Sequence, residues 1–131
     1  MTLVVDASVV VAAALDAGAA GQWAESVLLS GQLAAPHHMV VEASNVIRRA
    51  ALAGDVSPDA AALAHGDILN LPVSLFPFAP YAVRVWELRE NVTAYDAAYV
   101  ALAESLDVRL ATLDERLSRA TGPHCTFWLP E

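Results

Sequence analysis

Lysine is missing from this chain of 131 residues; all seven positive side chains are arginine. That absence removes Schiff-base chemistry and the lysine with which a P-loop grips phosphate. The single cysteine, Cys125, offers no internal disulfide and no thiolate pair for zinc, and reads as a small apolar residue in a last strand. His37, His38, His65 and His124 include no pair at the i, i+4 spacing of a helical metal site. No apolar run reaches the roughly 18–20 residues that span a membrane; Val9 to Leu15 is bracketed by Asp6 and Asp16. The first residues carry no Lys or Arg, so a secretory signal is not expected, and a reducing cytoplasm is the expected compartment. Positive charge is scarce overall, with a net charge of −8 and a pI near 4.7. Such a balance argues against general nucleic-acid binding. It is compatible with a nuclease whose acids are masked by metal, and with a basic protein partner.

What is present is apolar and regularly patterned. A hydrophobic fraction of 56% and a mean hydropathy of +0.46 exclude disorder and fit a sheet covered on both faces. The length suits one domain, residues 1–131. Strands are expected at Thr2–Val5, Gln32–Ala35, Val73–Phe76, Arg109–Thr112 and Cys125–Phe127. Helical segments fall between them: Ser8–Asp16, Gln22–Ser30, His38–Ala53, Ser57 to Asn70, Tyr81–Arg89, Thr93 to Leu106 and Asp114–Ala120. Gly31 is expected to stop the second helix at positive φ, and Ser57-Pro58-Asp59 is a strong helix start. Strands alternating with helices imply an α/β fold on a mostly parallel sheet with right-handed crossovers.

Four acids fall where such a chain gathers its loops. Asp6 ends the run Leu3–Val5, Glu42 lies early in the long helix after Pro36, Asp96 opens the helix capped by Thr93, and Asp114 follows the run Val108–Leu113. Loops at the carboxyl ends of parallel strands converge on one crevice. Carboxylates meeting there repel one another, and a divalent cation relieves the repulsion. Their hard oxygens suit Mg²⁺ or Mn²⁺, and such ions support phosphodiester hydrolysis without a covalent protein intermediate. Ser8 is placed to donate to Asp6 or to a phosphate, and Thr112 to orient Asp114 or Asp96. Asn45 and Arg49 follow Glu42 by three and seven, on roughly one helical face, where they suit a ligand water and a substrate phosphate. Singly, each acid reads as a helix cap; their joint placement after strands points to a site. His37 and His38 read as loop or helix-entry residues, and Trp23, Trp86 and Trp128 as core or interface aromatics. A phosphoaspartyl mechanism of the haloacid-dehalogenase kind fits poorly: Ser8 stands where a second Asp is needed, and no lysine steadies the phosphoryl group. A receiver domain fails for the same missing lysine.

At these residues the chain resembles the PIN-domain ribonucleases, particularly the VapC toxins of bacterial type II toxin–antitoxin systems. The resemblance spans essentially the full length. It rests on Val4–Ser8, on Pro36 through Val41–Arg49, on Tyr95–Ala103 and on Leu110–Leu117, in that order. It implies a three-layer α/β/α fold with a five-stranded sheet of order 3-2-1-4-5. It maps the family's acidic site onto Asp6, Glu42, Asp96 and Asp114, with Thr112 at the usual Ser/Thr position. It further implies Mg²⁺- or Mn²⁺-dependent endoribonuclease activity on RNA, a homodimer, and a VapB antitoxin whose tail wraps the toxin and can place a basic side chain among the acids. A non-catalytic PIN-like module that binds protein or RNA is the alternative.

Overall fold

The computed structural model describes residues 1–131. Its elements run β1 (Thr2–Val5), α1 (Ala7–Leu15), α2 (Ala19–Leu28), β2 (Gln32–Pro36), α3 (Met39–Leu52), α4 (Pro58–Leu69), β3 (Val73–Phe76), a 3₁₀ turn (Ala79–Tyr81), α5 (Ala82–Glu87), α6 (Ala94–Leu106), β4 (Leu110–Ala111), α7 (Glu115–Ser118) and β5 (Phe127–Trp128). All five strands are parallel, in the order β3-β2-β1-β4-β5. On one side α1 packs against α2, α3 and α4; α6 lies on β1, β2 and β4 with α5 beside it. This is the three-layer arrangement and strand order that the resemblance implies.

The local chemistry explains the layers. Leu3, Val4 and Val5 are wholly buried, without the in–out alternation of a half-exposed strand, because helices cover both faces of β1. Ala97 to Ala103 of α6 are all buried, and four of these seven residues are alanines, small enough for close approach to the sheet. Ser57 and Thr93 cap α4 and α6 by accepting from the amides of Ala60 and Asp96. β3 is a four-residue edge strand between Pro72 and Pro77, with Ser74 and Leu75 exposed.

Two expectations shift. Gly31 does not adopt positive φ; a Cβ there would lie 2.5 Å from the carbonyl oxygen of Met1, so the residue is small to let the chain pass the start of β1. The last strand begins at Phe127 rather than Cys125, since β4 pairs Leu110 with Phe127 and Ala111 with Trp128. Cys125 lies half-buried ahead of it. Among the tryptophans, Trp23 and Trp128 meet edge to face at 5.9 Å, with the Arg109 guanidinium 3.9 Å above Trp128. Trp86 instead points outward, 67% exposed, with Arg89 stacked on it.

Two glycines test the backbone path. A Cβ at Gly21 would fall 1.7 Å from the carbonyl oxygen of Asp16, whereas one at Gly66, inside α4, meets nothing within 4 Å. Gly21→Ala is expected to destabilise by about 1–3 kcal/mol or more through forced overpacking. Gly66→Ala should stabilise by roughly 0.4–1 kcal/mol by restricting the unfolded chain. Urea unfolding of both variants measures this, and a neutral Gly21→Ala would contradict the close approach of α2 to the end of α1.

Candidate active site

Register places the first acid. Val5 of β1 pairs with Ala111 of β4, so the next residues on each strand, Asp6 and Thr112, leave the sheet side by side. The Asp6 amide donates to the Ala111 carbonyl at 3.3 Å. Thr112, wholly buried, donates its hydroxyl to Asp6 Oδ2 and accepts from the Asp114 amide at 3.0 Å. Ser8 repeats the device, donating to Asp6 Oδ1 at 2.5 Å and accepting from the Leu113 amide at 3.1 Å. Each hydroxyl is claimed by an N–H, so its own proton is directed at the carboxylate. Thr112 therefore directs its proton at Asp6 while its oxygen holds the Asp114 amide; the contact with Asp6, from the neighbouring strand, is invisible in one dimension.

Every one of the four acids stands at a helix start. Asp6 caps α1 through the Val9 amide at 3.3 Å, and Asp114 caps α7 by accepting from the amides of Arg116 and Leu117. Glu42 and Asp96 lie in the first turns of α3 and α6. The cap reading thus holds for Asp6 and Asp114, and it does not take them out of the crevice. Positive helix ends offset part of the mutual repulsion, but not all of it. Burial pushes the Asp6 carboxyl up to about 6, against the hydrogen bonds from Ser8, Thr112 and Val9, and the charge of Asp96 adds to the rise. Asp96 is raised by burial and by the charges of Asp114 and Glu42.

Glu42 behaves differently. Burial works to raise it, but hydrogen bonds from His38 and Tyr99, with the charge of His38, outweigh that and hold it below the usual range. The Tyr99 hydroxyl donates to Glu42 Oε1 at 2.6 Å, and His38 Nε2 lies 3.2 Å from the same oxygen. Sequence reasoning missed both residues. Tyr99 sits in an alanine-rich buried helix and reads as core; His38 reads as helix entry, and only its i, i+4 spacing from Glu42 hinted at a contact.

Asp6, Glu42, Asp96 and Asp114 line one cavity of about 750 Å³, together with Ser8, Asn45, Arg49 and Tyr99. Asn45 and Arg49 are exposed side chains of α3 on the cavity wall. Away from the acids the wall turns apolar, with Val11 and Leu15 of α1 facing Val46 and Ala50 of α3. The acids share the cavity without closing into a cage, since no three of them form a set that would chelate an ion unaided. Mg²⁺ rarely uses such cages; it keeps several waters and binds through one or two carboxylates plus substrate phosphate. An all-oxygen donor set in which Asp6 and Asp96 are raised fits that habit.

A family model described as PIN domain matches residues 3–123. The chain belongs to the PIN-domain family. Among curated PIN relatives, the ribonuclease VapC1 of Mycobacterium tuberculosis is 40% identical over 130 residues, covering 95% of this chain and 98% of that protein. Ribonuclease VapC9 of the same organism is 37% identical over 123 residues, covering 94% of each chain. Of solved structures, M. tuberculosis VapC20, a toxin that cleaves the sarcin–ricin loop, superposes with a TM-score of 0.68 at 18% identity over 88% of this chain and 92% of that one. VapBC2 of Rickettsia felis, bound to a fragment of its promoter DNA, gives 0.68 at 14% identity over 98% of each. At these identities the two structures speak to the shared PIN fold alone.

The raised Asp6 carboxyl has a stability consequence. A folded-state value of about 6 lies above the ordinary 3.8, so the folded chain binds the extra proton between those limits. In a metal-free PIN domain this acid's contribution is unpenalised below pH 4 and becomes unfavourable as pH rises through 6, by about 3 kcal/mol for two units. Asp6→Asn should remove that fall. Unfolding measured in EDTA from pH 4 to 7 tests it, and identical pH slopes for the two proteins would refute the assignment.

Proposed function

We propose that this chain is a Mg²⁺- or Mn²⁺-dependent endoribonuclease toxin of the VapBC type, acting on RNA in the cytoplasm. The observation that carries this reading is the convergence of Asp6, Glu42, Asp96 and Asp114 on one cavity. Its length-wide similarity to VapC ribonucleases supports the substrate class. The four carboxylates would hold the ion, directly or through water. A divalent ion there supplies neutralisation of the scissile phosphate and a lowered pKa for attacking water. Ser8 and Thr112 keep both oxygens of Asp6 in one orientation. Arg49, on the cavity wall, takes a phosphate oxygen, and Asn45 offers a donor and an acceptor to water or a base edge. None of these residues needs to form a covalent bond to the substrate.

A net charge of −8 leaves this chain with little general affinity for RNA, so productive binding depends on the neutralised cavity and a few arginines. The same charge complements a basic segment of a VapB-type antitoxin. No helix is long and apolar enough to cross a membrane. A homodimer is the assembly that the family reading carries with it, and Val41 and Leu52 on α3 and Leu63 on α4 are exposed apolar side chains free to meet a second copy.

Asp96→Asn tests the reading. With Mg²⁺, RNA cleavage should fall by more than about 100-fold, beyond the loss usual for outer partners of a metal site, while the thermal melt stays cooperative. Full activity in the purified variant would reject the assignment. Calorimetry with Mn²⁺ separates the alternative of a non-catalytic binding module, which would show no uptake that depends on these acids.

A further inference from the structure

We infer that Tyr99, together with His38, is the positioning pair that presents Glu42 to the metal and the RNA. The inference rests on the nuclease reading above and adds two residues to it. Tyr99 is 1% exposed and its hydroxyl reaches from α6 to Glu42 Oε1 on α3, at 2.6 Å. Asp96 and Tyr99 are three residues apart, hence on one face of α6. A single helix therefore delivers one acid and the donor that fixes another.

His38 completes the hold. Its Nε2 lies 3.2 Å from Glu42 Oε1 and 3.2 Å from the carbonyl oxygen of Tyr95. Two acceptors facing one ring nitrogen require that nitrogen to carry the proton. The imidazole is held edge-to-face against both Tyr95 and Tyr99, at centroid distances of 5.7 and 5.1 Å. Both donors end on the same carboxylate oxygen, and no protein donor reaches Oε2. Glu42 is a long side chain whose rotamers would otherwise scatter. Pinning Oε1 leaves Oε2 without a protein partner on a residue that lines the cavity, free for a cation or its water. A hydroxyl serving only to satisfy a buried tyrosine would not need to share its acceptor with a histidine from another element.

The test is a cycle of Tyr99→Phe, Glu42→Gln and the double variant. Mn²⁺ affinity is measured by calorimetry without RNA, and kcat and KM for RNA cleavage are measured with Mg²⁺. Phenylalanine keeps the buried ring and deletes one hydroxyl. Tyr99→Phe is expected to weaken Mn²⁺ binding about 10-fold and to lower kcat while KM stays within about 2-fold. On the Glu42→Gln background it should do nothing further. Wild-type Mn²⁺ affinity in Tyr99→Phe, or an undiminished loss in the double variant, overturns the inference. If Glu42→Gln abolishes Mn²⁺ uptake and Tyr99→Phe does not change it, the positioning role alone falls. If Glu42→Gln takes up Mn²⁺ normally, the role of Glu42 falls and this one with it. Should Tyr99→Phe fail to fold, His38→Ala at the helix entry runs the same cycle against the same outcomes.

Discussion

A carboxylate buried at the end of the central strand is the constraint around which this protein is organised. Asp6 is almost without solvent, and an unsupported charge there would drive its own neutralisation or open the structure. Its support comes from two hydroxyls, Ser8 and Thr112, whose own lone pairs are taken by the amides of Leu113 and Asp114. One network thus joins β1, the start of α1, the end of β4 and the turn into α7. The geometry of Asp114 is consequently a by-product of supporting Asp6. Because hydroxyls give hydrogen bonds but no positive charge, the carboxyl remains short of full stabilisation, and a cation has something left to offer.

Helix ends complete the electrostatics. Four carboxylates begin four helices, so the crevice is ringed by backbone amides carrying partial positive charge. Without a lysine anywhere, this is how the chain tolerates most of its clustered acids: by dipoles and hydrogen bonds, with His38 beside Glu42 as the one cationic neighbour in contact with a site carboxylate. Where a full ion pair is used, between Arg84 and Glu104 at 2.7 Å, it lies elsewhere, tying α5 to α6. Asp6, Asp96 and Asp114 are left without an ion pair, open to an external cation.

Much of this was legible in the sequence. A mostly parallel sheet, helix caps and the convergence of the acids follow from alternation of apolar runs with helical segments and from turn chemistry at Ser57 and Thr93, whereas the strand order comes only from the resemblance to PIN domains. Legibility fails where a residue's partner comes from a different element. Thr112 is two residues from Asp114 in sequence, yet it bonds Asp6 because β1 and β4 are neighbours in register. Tyr99 reads as core because it is core, and nothing along α6 announces a carboxylate from α3 beside its hydroxyl. Gly31 looked like a helix stop, but its size answers to Met1, thirty positions away. The short strand at the C-terminal end was misjudged for a related reason: two residues carry too little pattern, and its limits are set by the ladder with β4.

The sheet's margins bear on how copies of this chain can associate. Its one outer strand of any length, β3, is bounded by two prolines, and the opposite margin, β5, is two residues long with Pro130 close behind. Proline has no amide proton to offer a newcomer, and so short a ribbon gives it little to zip onto. Ribbon-to-ribbon accretion, the usual route to fibrous aggregates, is therefore discouraged at both flanks, and any contact between copies is left to the helical outer layers.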